Sequence, residues 1–78
     1  MQPYLNSAGN SGIKAYEIGD DYIKIQFVDE KYIYTYNYFK PGREHVKKMQ
    51  ALAVSGKGLA TYINQNVRGD YAGRKKIN

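Results

Sequence analysis

The sequence predicts an α+β fold in which a three-stranded antiparallel β-meander packs against two C-terminal α-helices. Three observations predict it. Apolar and polar residues alternate in runs between Ile13 and Tyr38, acidic residues punctuate those runs, and beyond Pro41-Gly42 the apolar spacing becomes that of a helix. At 78 residues the chain holds one small core and is too short for two.

Residues 1–12 read as a flexible leader, because Asn6-Ser7-Ala8-Gly9-Asn10-Ser11-Gly12 offers almost no apolar area to offset the entropy of ordering it. The single domain is expected over 13–71 and a basic tail over 72–78. A first strand runs from Ile13 to Ile18, and Gly19-Asp20-Asp21 supplies turn chemistry. A second carries Ile23, Ile25 and Phe27 separated by Lys24 and Gln26. After a polar break at Asp29-Glu30, Lys31 to Tyr38 sets tyrosine at every second position in β-branched and aromatic company, the clearest strand of the chain.

The turns fix a register, because residues opposite each other in an antiparallel pair share a face. Turning at Asp29-Glu30 sets Phe27 against Tyr32, Ile25 against Tyr34 and Ile23 against Tyr36; turning at Asp20-Asp21 sets Ile18 against Ile23 and Tyr16 against Ile25. One face collects all of these, and the reverse face carries Tyr22, Lys24, Gln26, Val28, Ile33, Thr35 and Asn37. Lys14 is the misfit, pointing inward unless the first strand starts late or bulges.

Pro41 suits the approach to a helix, where its missing N–H is not needed. From Arg43, Val46, Met49 and Ala53 share one face, flanked by Leu52, with Arg43, Glu44, Lys47 and Ala51 turned away. Glu44 stands four residues before Lys48 in the favourable orientation for a helical ion pair. Ser55-Gly56-Lys57-Gly58 breaks this helix. A second follows with Leu59, Tyr62, Ile63 and Val67 on one side and Thr61, Asn64 and Gln65 on the other, and Gly69 is expected to close it as a left-handed cap.

Catalytic chemistry finds little support. The absence of cysteine removes disulfides, thiolate metal sites and Cys nucleophiles. His45 is the only histidine and has no nucleophile motif to serve, so a structural role outweighs a catalytic one. Asp20, Asp21, Asp29 and Glu30 come as adjacent pairs in turns, without the spacing of a calcium loop, and no metal or cofactor is expected. Ser55 to Gly58 resembles a phosphate cradle in composition, but Ala51 stands where a Walker A loop needs glycine; a helix connector accounts for it. No apolar run approaches a membrane span, so a soluble, cytoplasmic, non-enzymatic protein is expected.

Charge is unevenly placed. Residues 1–38 hold three bases and five acids, and residues 39–78 hold nine bases and two acids. Arg43, Lys47, Lys57, Arg68, Arg74, Lys75 and Lys76 are the candidate contacts for nucleic-acid phosphates, set against the alternative of an ordinary solubilising surface. The stripe Tyr32, Tyr34, Tyr36, Tyr38 suggests base stacking, but Tyr34 and Tyr36 share a face with Ile23 and Ile25 that the helices must cover; core is the better reading for those two, less so for Tyr38.

Ile23-Lys24-Ile25-Gln26-Phe27, a Tyr-x-Tyr within Tyr32 to Tyr36, Pro41 before a helix, Ser55 to Gly58 leading into Leu59-Ala60-Thr61-Tyr62-Ile63-Asn64, then Val67-Arg68 and Tyr71 together resemble the KTSC domain. The likeness covers residues 13–74. It implies a compact α+β module of the kind found in short bacterial and phage proteins and at the C-terminus of some lysyl-tRNA synthetases, a context that suggests RNA. It brings no catalytic residue, and its candidate contacts here are Lys57, Arg68 and the basic tail. The expected function is a binding module for RNA or other single-stranded nucleic acid through the basic helical half. The alternative is a protein-interaction module that uses an exposed strand edge or the outer sheet face.

Overall fold

The computed structural model describes residues 1–5, 12–28 and 31–77. The expected turn at Asp29-Glu30 and most of the expected leader lie outside them. Among the described residues five strands, β1 (Gln2–Pro3), β2 (Ile13–Ile18), β3 (Tyr22–Phe27), β4 (Tyr32–Asn37) and β5 (Gly73–Lys76), form one sheet in the order β1-β2-β3-β4-β5. Every neighbouring pair is antiparallel. Between β4 and β5 lie α1 (Arg43–Ser55) and α2 (Leu59–Tyr62), the latter prolonged by a π-helical turn over Ile63–Val67.

The three-stranded meander is therefore corrected to five strands. Gln2–Pro3 pairs with Ala15 and Tyr16 on one edge, and Gly73–Lys76 pairs with Tyr32 to Thr35 on the other. Neither segment has the alternating apolar pattern that marks a strand, because each is an edge whose side chains are mostly exposed. Pro3 is tolerated there because an edge strand can spare an N–H. What holds the first edge is Tyr4: its N–H donates to the Lys14 carbonyl at 3.0 Å, its ring is only 7% exposed, and it meets Tyr16 edge-to-face at 6.4 Å.

Within the central hairpins the register follows from the side-chain pattern. Ile23 faces Tyr36, Ile25 faces Tyr34, Ile18 faces Ile23 and Tyr16 faces Ile25. Ile13 pairs with Phe27 while Ala15 pairs with Gln26, so Lys14 is the extra residue of a bulge and points to solvent. An inward lysine is thereby avoided at the cost of one unpaired residue.

The core lies between the sheet and the helices: Ile23, Ile25, Phe27, Tyr34 and Tyr36 from the sheet, Val46, Met49 and Ala53 from α1, and Leu59, Ile63 and Val67 beyond it. The last three recur at intervals of four. A π turn rotates less per residue than an α turn, so closing the second half this way keeps Val67 over the line begun by Leu59 and Ile63. Asn66 Nδ2 donates to the Tyr62 carbonyl at 3.0 Å, the side-chain competition for a helical acceptor that accompanies such a widened turn.

The connector between the helices is built from two left-handed glycines, Gly56 at φ 74° closing α1 and Gly58 at φ 83° opening α2. Gly69 does not play the expected cap: it is not among the positive-φ glycines, and the chain turns there through Asp70 N–H donating to the Val67 carbonyl at 2.9 Å. Two polar side chains lock α1 in place. Gln50 Nε2 donates to the Gly19 and Tyr22 carbonyls, each at 3.0 Å, and His45 Nδ1 lies 2.7 Å from the Tyr62 hydroxyl.

Candidate nucleic-acid interface

The sheet has two distinct ends. Phe27 closes β3 and Tyr32 opens β4, so both sit at the end nearest the β3–β4 connection. Asp20, Asp21 and Tyr38 sit at the other, where Tyr38 N–H donates to the Asp21 carbonyl and its hydroxyl to the Asp20 carbonyl, both at 3.2 Å.

The first end gathers rings and arginines. On the helix side of the sheet, Phe27 meets Tyr34 at 5.5 Å, Tyr32 meets Tyr34 at 6.4 Å and Tyr34 meets Tyr71 at 4.9 Å between ring centres. The Arg68 guanidinium lies 4.9 Å from the Phe27 ring centre, and Arg68 Nη1 donates to Asn64 Oδ1 at 3.1 Å. Arg74 lies closer still, 4.2 Å from the Tyr32 ring centre. A side-chain hydrogen bond with Tyr34, followed by the nearby Tyr71 hydroxyl, raises the Arg74 pKa above the ordinary arginine value. Lys76 pairs with Tyr32 in the β4–β5 ladder and so shares its face.

The seven residues picked out by charge do not form one patch. Arg68, Arg74 and Lys76 converge on the Phe27–Tyr32 end. Lys75 pairs with Ile33 and lies on the outer sheet face, in a shallow groove with Met1, Glu17, Lys24 and Thr35. Arg43 lies 6.0 Å from the Tyr38 ring centre, and Lys47 borders a groove with Ile18, Gln50, Ala51 and Val54; both belong to the opposite end. That end also carries Asp20 and Asp21, and Lys40 spends its charge on Asp70 at 3.9 Å.

Lys57 is an exposed residue of the glycine connector. The N–H of Leu59, which a phosphate at the start of α2 would need, donates instead to the buried Tyr4 hydroxyl at 3.3 Å. The connector reading of Ser55 to Gly58 therefore prevails over the cradle: the residues are shaped for two left-handed backbone turns, and a side chain from β1's flank occupies the donor.

The tyrosine stripe divides as its position demands. Tyr34 and Tyr36 are buried, whereas Tyr32 and Tyr38 at its two ends are half-buried and each lies beneath an arginine. Sequence reasoning missed these ring–guanidinium pairs, because Arg74 reaches Tyr32 only through the β4–β5 pairing, across a long interval of chain. It also missed Lys31, exposed beside Tyr32, whose carbonyl accepts the Ile77 N–H at 2.7 Å and so lies at the same end.

On the outer face Tyr22 donates to Glu17 Oε2 at 2.8 Å, and Lys24 lies 5.6 Å from the Tyr22 ring centre. The bonded carboxylate raises the Tyr22 pKa above the ordinary phenol value. Among the described residues no three His, Cys, Asp or Glu side chains come together as a metal site, and no helix is long and apolar enough to cross a membrane. No family model, curated protein or solved structure matches the chain, so the KTSC likeness rests on the order of features in the sequence.

Proposed function

We propose that this protein is a small binding module for single-stranded nucleic acid, RNA included, and that the Phe27–Tyr32 end of the sheet is its contact surface. The observation that carries the reading is the convergence there of Arg68, Arg74 and Lys76 on a cluster of aromatic rings. Positive charge beside π-faces is the chemistry that single strands present a need for: phosphates to neutralise and unpaired bases to cover.

The strand edges support the same choice over self-association. The β1 edge is two residues long and contains Pro3, and β5 presents Arg74, Lys75 and Lys76 along its edge, features that oppose pairing with another copy.

The test is fluorescence anisotropy with a labelled single-stranded oligonucleotide over a range of salt. Arg68→Ala, Arg74→Ala and Lys76→Ala should each weaken binding and each flatten the log–log salt slope by about 0.7, the value for one phosphate contact on a single strand. Arg43→Ala and Lys47→Ala should leave both quantities unchanged. Salt-dependent binding lost only in the second pair would move the site to the other end, and no binding by the unaltered protein at low salt would remove the function.

A further inference from the structure

We infer that Arg74, held over the ring of Tyr32, is a stacking platform for an unpaired base, so that the ligand base, the guanidinium and the tyrosine ring form a three-layer stack. The inference deepens the reading above and rests on it.

Three features of Arg74 point this way. Its guanidinium carbon lies 4.2 Å from the Tyr32 ring centre, the shortest cation–ring approach among the described residues. The β4–β5 ladder sets Arg74 directly across from Tyr34, so its side chain starts from the same face as the ring cluster. The side chain is nonetheless exposed, so a ligand can reach it. An arginine so fixed has already lost the rotamer freedom that a free one would lose on binding, and it presents a rigid π-surface of the size of a base edge. Lysine offers none of this planarity.

The neighbours complete the arrangement. Lys76 lies directly across from Tyr32 on the same face, two residues along β5 from Arg74, and Arg68 covers Phe27 at the same end of the sheet. Phosphates on either side of a stacked base would meet a cation in each direction. The equivalent pair at the far end, Arg43 over Tyr38, is looser at 6.0 Å and lacks the stacking distance. A duplex, whose bases are already stacked and paired, has no base to give this platform.

The deciding experiment separates base from phosphate. Binding of the unaltered protein is measured to a twelve-nucleotide thymidine strand and to the same sugar-phosphate chain without bases, and then repeated with Arg74→Lys, which keeps the charge and discards the plane. The unaltered protein should prefer the base-bearing strand by about 5-fold or more, the equivalent of one stacked base. Arg74→Lys should lose that preference while keeping the salt slope and the unaltered binding of the base-free chain. Equal affinity of the unaltered protein for the two strands overturns the stack and leaves phosphate contact standing. A preference that survives Arg74→Lys also overturns it, since the base is then held elsewhere. No binding to either strand overturns this inference together with the function beneath it.

Discussion

Tyr4 ties residues far apart in sequence, and its replacement tests whether the chain before the glycine-rich segment belongs to the fold. Its ring is 7% exposed, and burying an aromatic side chain of about 150–250 Å² at about 25 cal/mol per Å² is worth at most about 4–6 kcal/mol. Against that stands the ordering of Gln2, Pro3 and Tyr4, at about 1–2 kcal/mol of backbone entropy per residue. The difference limits what Tyr4 can contribute, because a variant that loses more than the docking energy of β1 simply releases the strand. Tyr4→Ala and deletion of residues 1–5 should therefore destabilise the protein by similar amounts, about 2 kcal/mol. Tyr4→Phe keeps the ring but orphans the Leu59 N–H, a long bond at 3.3 Å, and should cost about 1 kcal/mol, the low end for a buried donor left without an acceptor. Urea unfolding followed by far-ultraviolet circular dichroism gives these values as shifts in midpoint at constant slope. If Tyr4→Ala leaves the midpoint within 0.5 kcal/mol of the parent, to use about the scatter of surface substitutions, β1 is not held by its aromatic residue and the argument fails.

Two further perturbations read out single features. Gly58→Ala meets only Leu52 Cδ2, at 3.8 Å, so its cost comes from φ +83° alone and should be about 1–2 kcal/mol in thermal unfolding, with the α1–α2 connection otherwise intact. Tyr22 should ionise at higher pH than an ordinary tyrosine in an ultraviolet absorbance titration, and Glu17→Gln should bring it back down. Because the folded state holds that proton more tightly than the unfolded state, its contribution is complete below the unfolded pKa and is lost as pH rises through the folded one; Tyr22→Phe should make alkaline unfolding less steep.

How far the fold could be read from sequence depends on burial. Where one face of a strand is covered, a slip of one residue would move every apolar side chain to solvent, so the pattern of Ile23, Ile25, Tyr34 and Tyr36 determined the pairing and flagged Lys14 as a misfit, to be resolved by a late strand start or a bulge, of which the structure has the bulge. The helix face of Val46, Met49 and Ala53 was legible for the same reason. The edges were not. Gln2–Pro3 and Gly73–Lys76 are ordered by backbone hydrogen bonds to neighbours and by one aromatic anchor, and backbone donors and acceptors are the same for every sequence. Gly69 misled because glycine permits a left-handed cap without requiring one, and here the wider π turn changes where the helix has to end.

The candidate site was hidden by a related circumstance. Counting charge along the chain assigns the positive potential to the helical half, yet β5 returns the C-terminal cations to the strand that bears the tyrosines, so the basic half of the sequence is not a basic half of the molecule. Tyrosine at every second position of β4 places two rings in the core and leaves one at each rim, where a partly wet aromatic edge accepts a guanidinium more readily than a second apolar group. Such a cover completes the core and, at the same time, keeps an arginine's charge at the surface. At the Phe27–Tyr32 end Arg68 and Lys76 add to that charge, and the surface that closes the core there is the one proposed to meet a single strand.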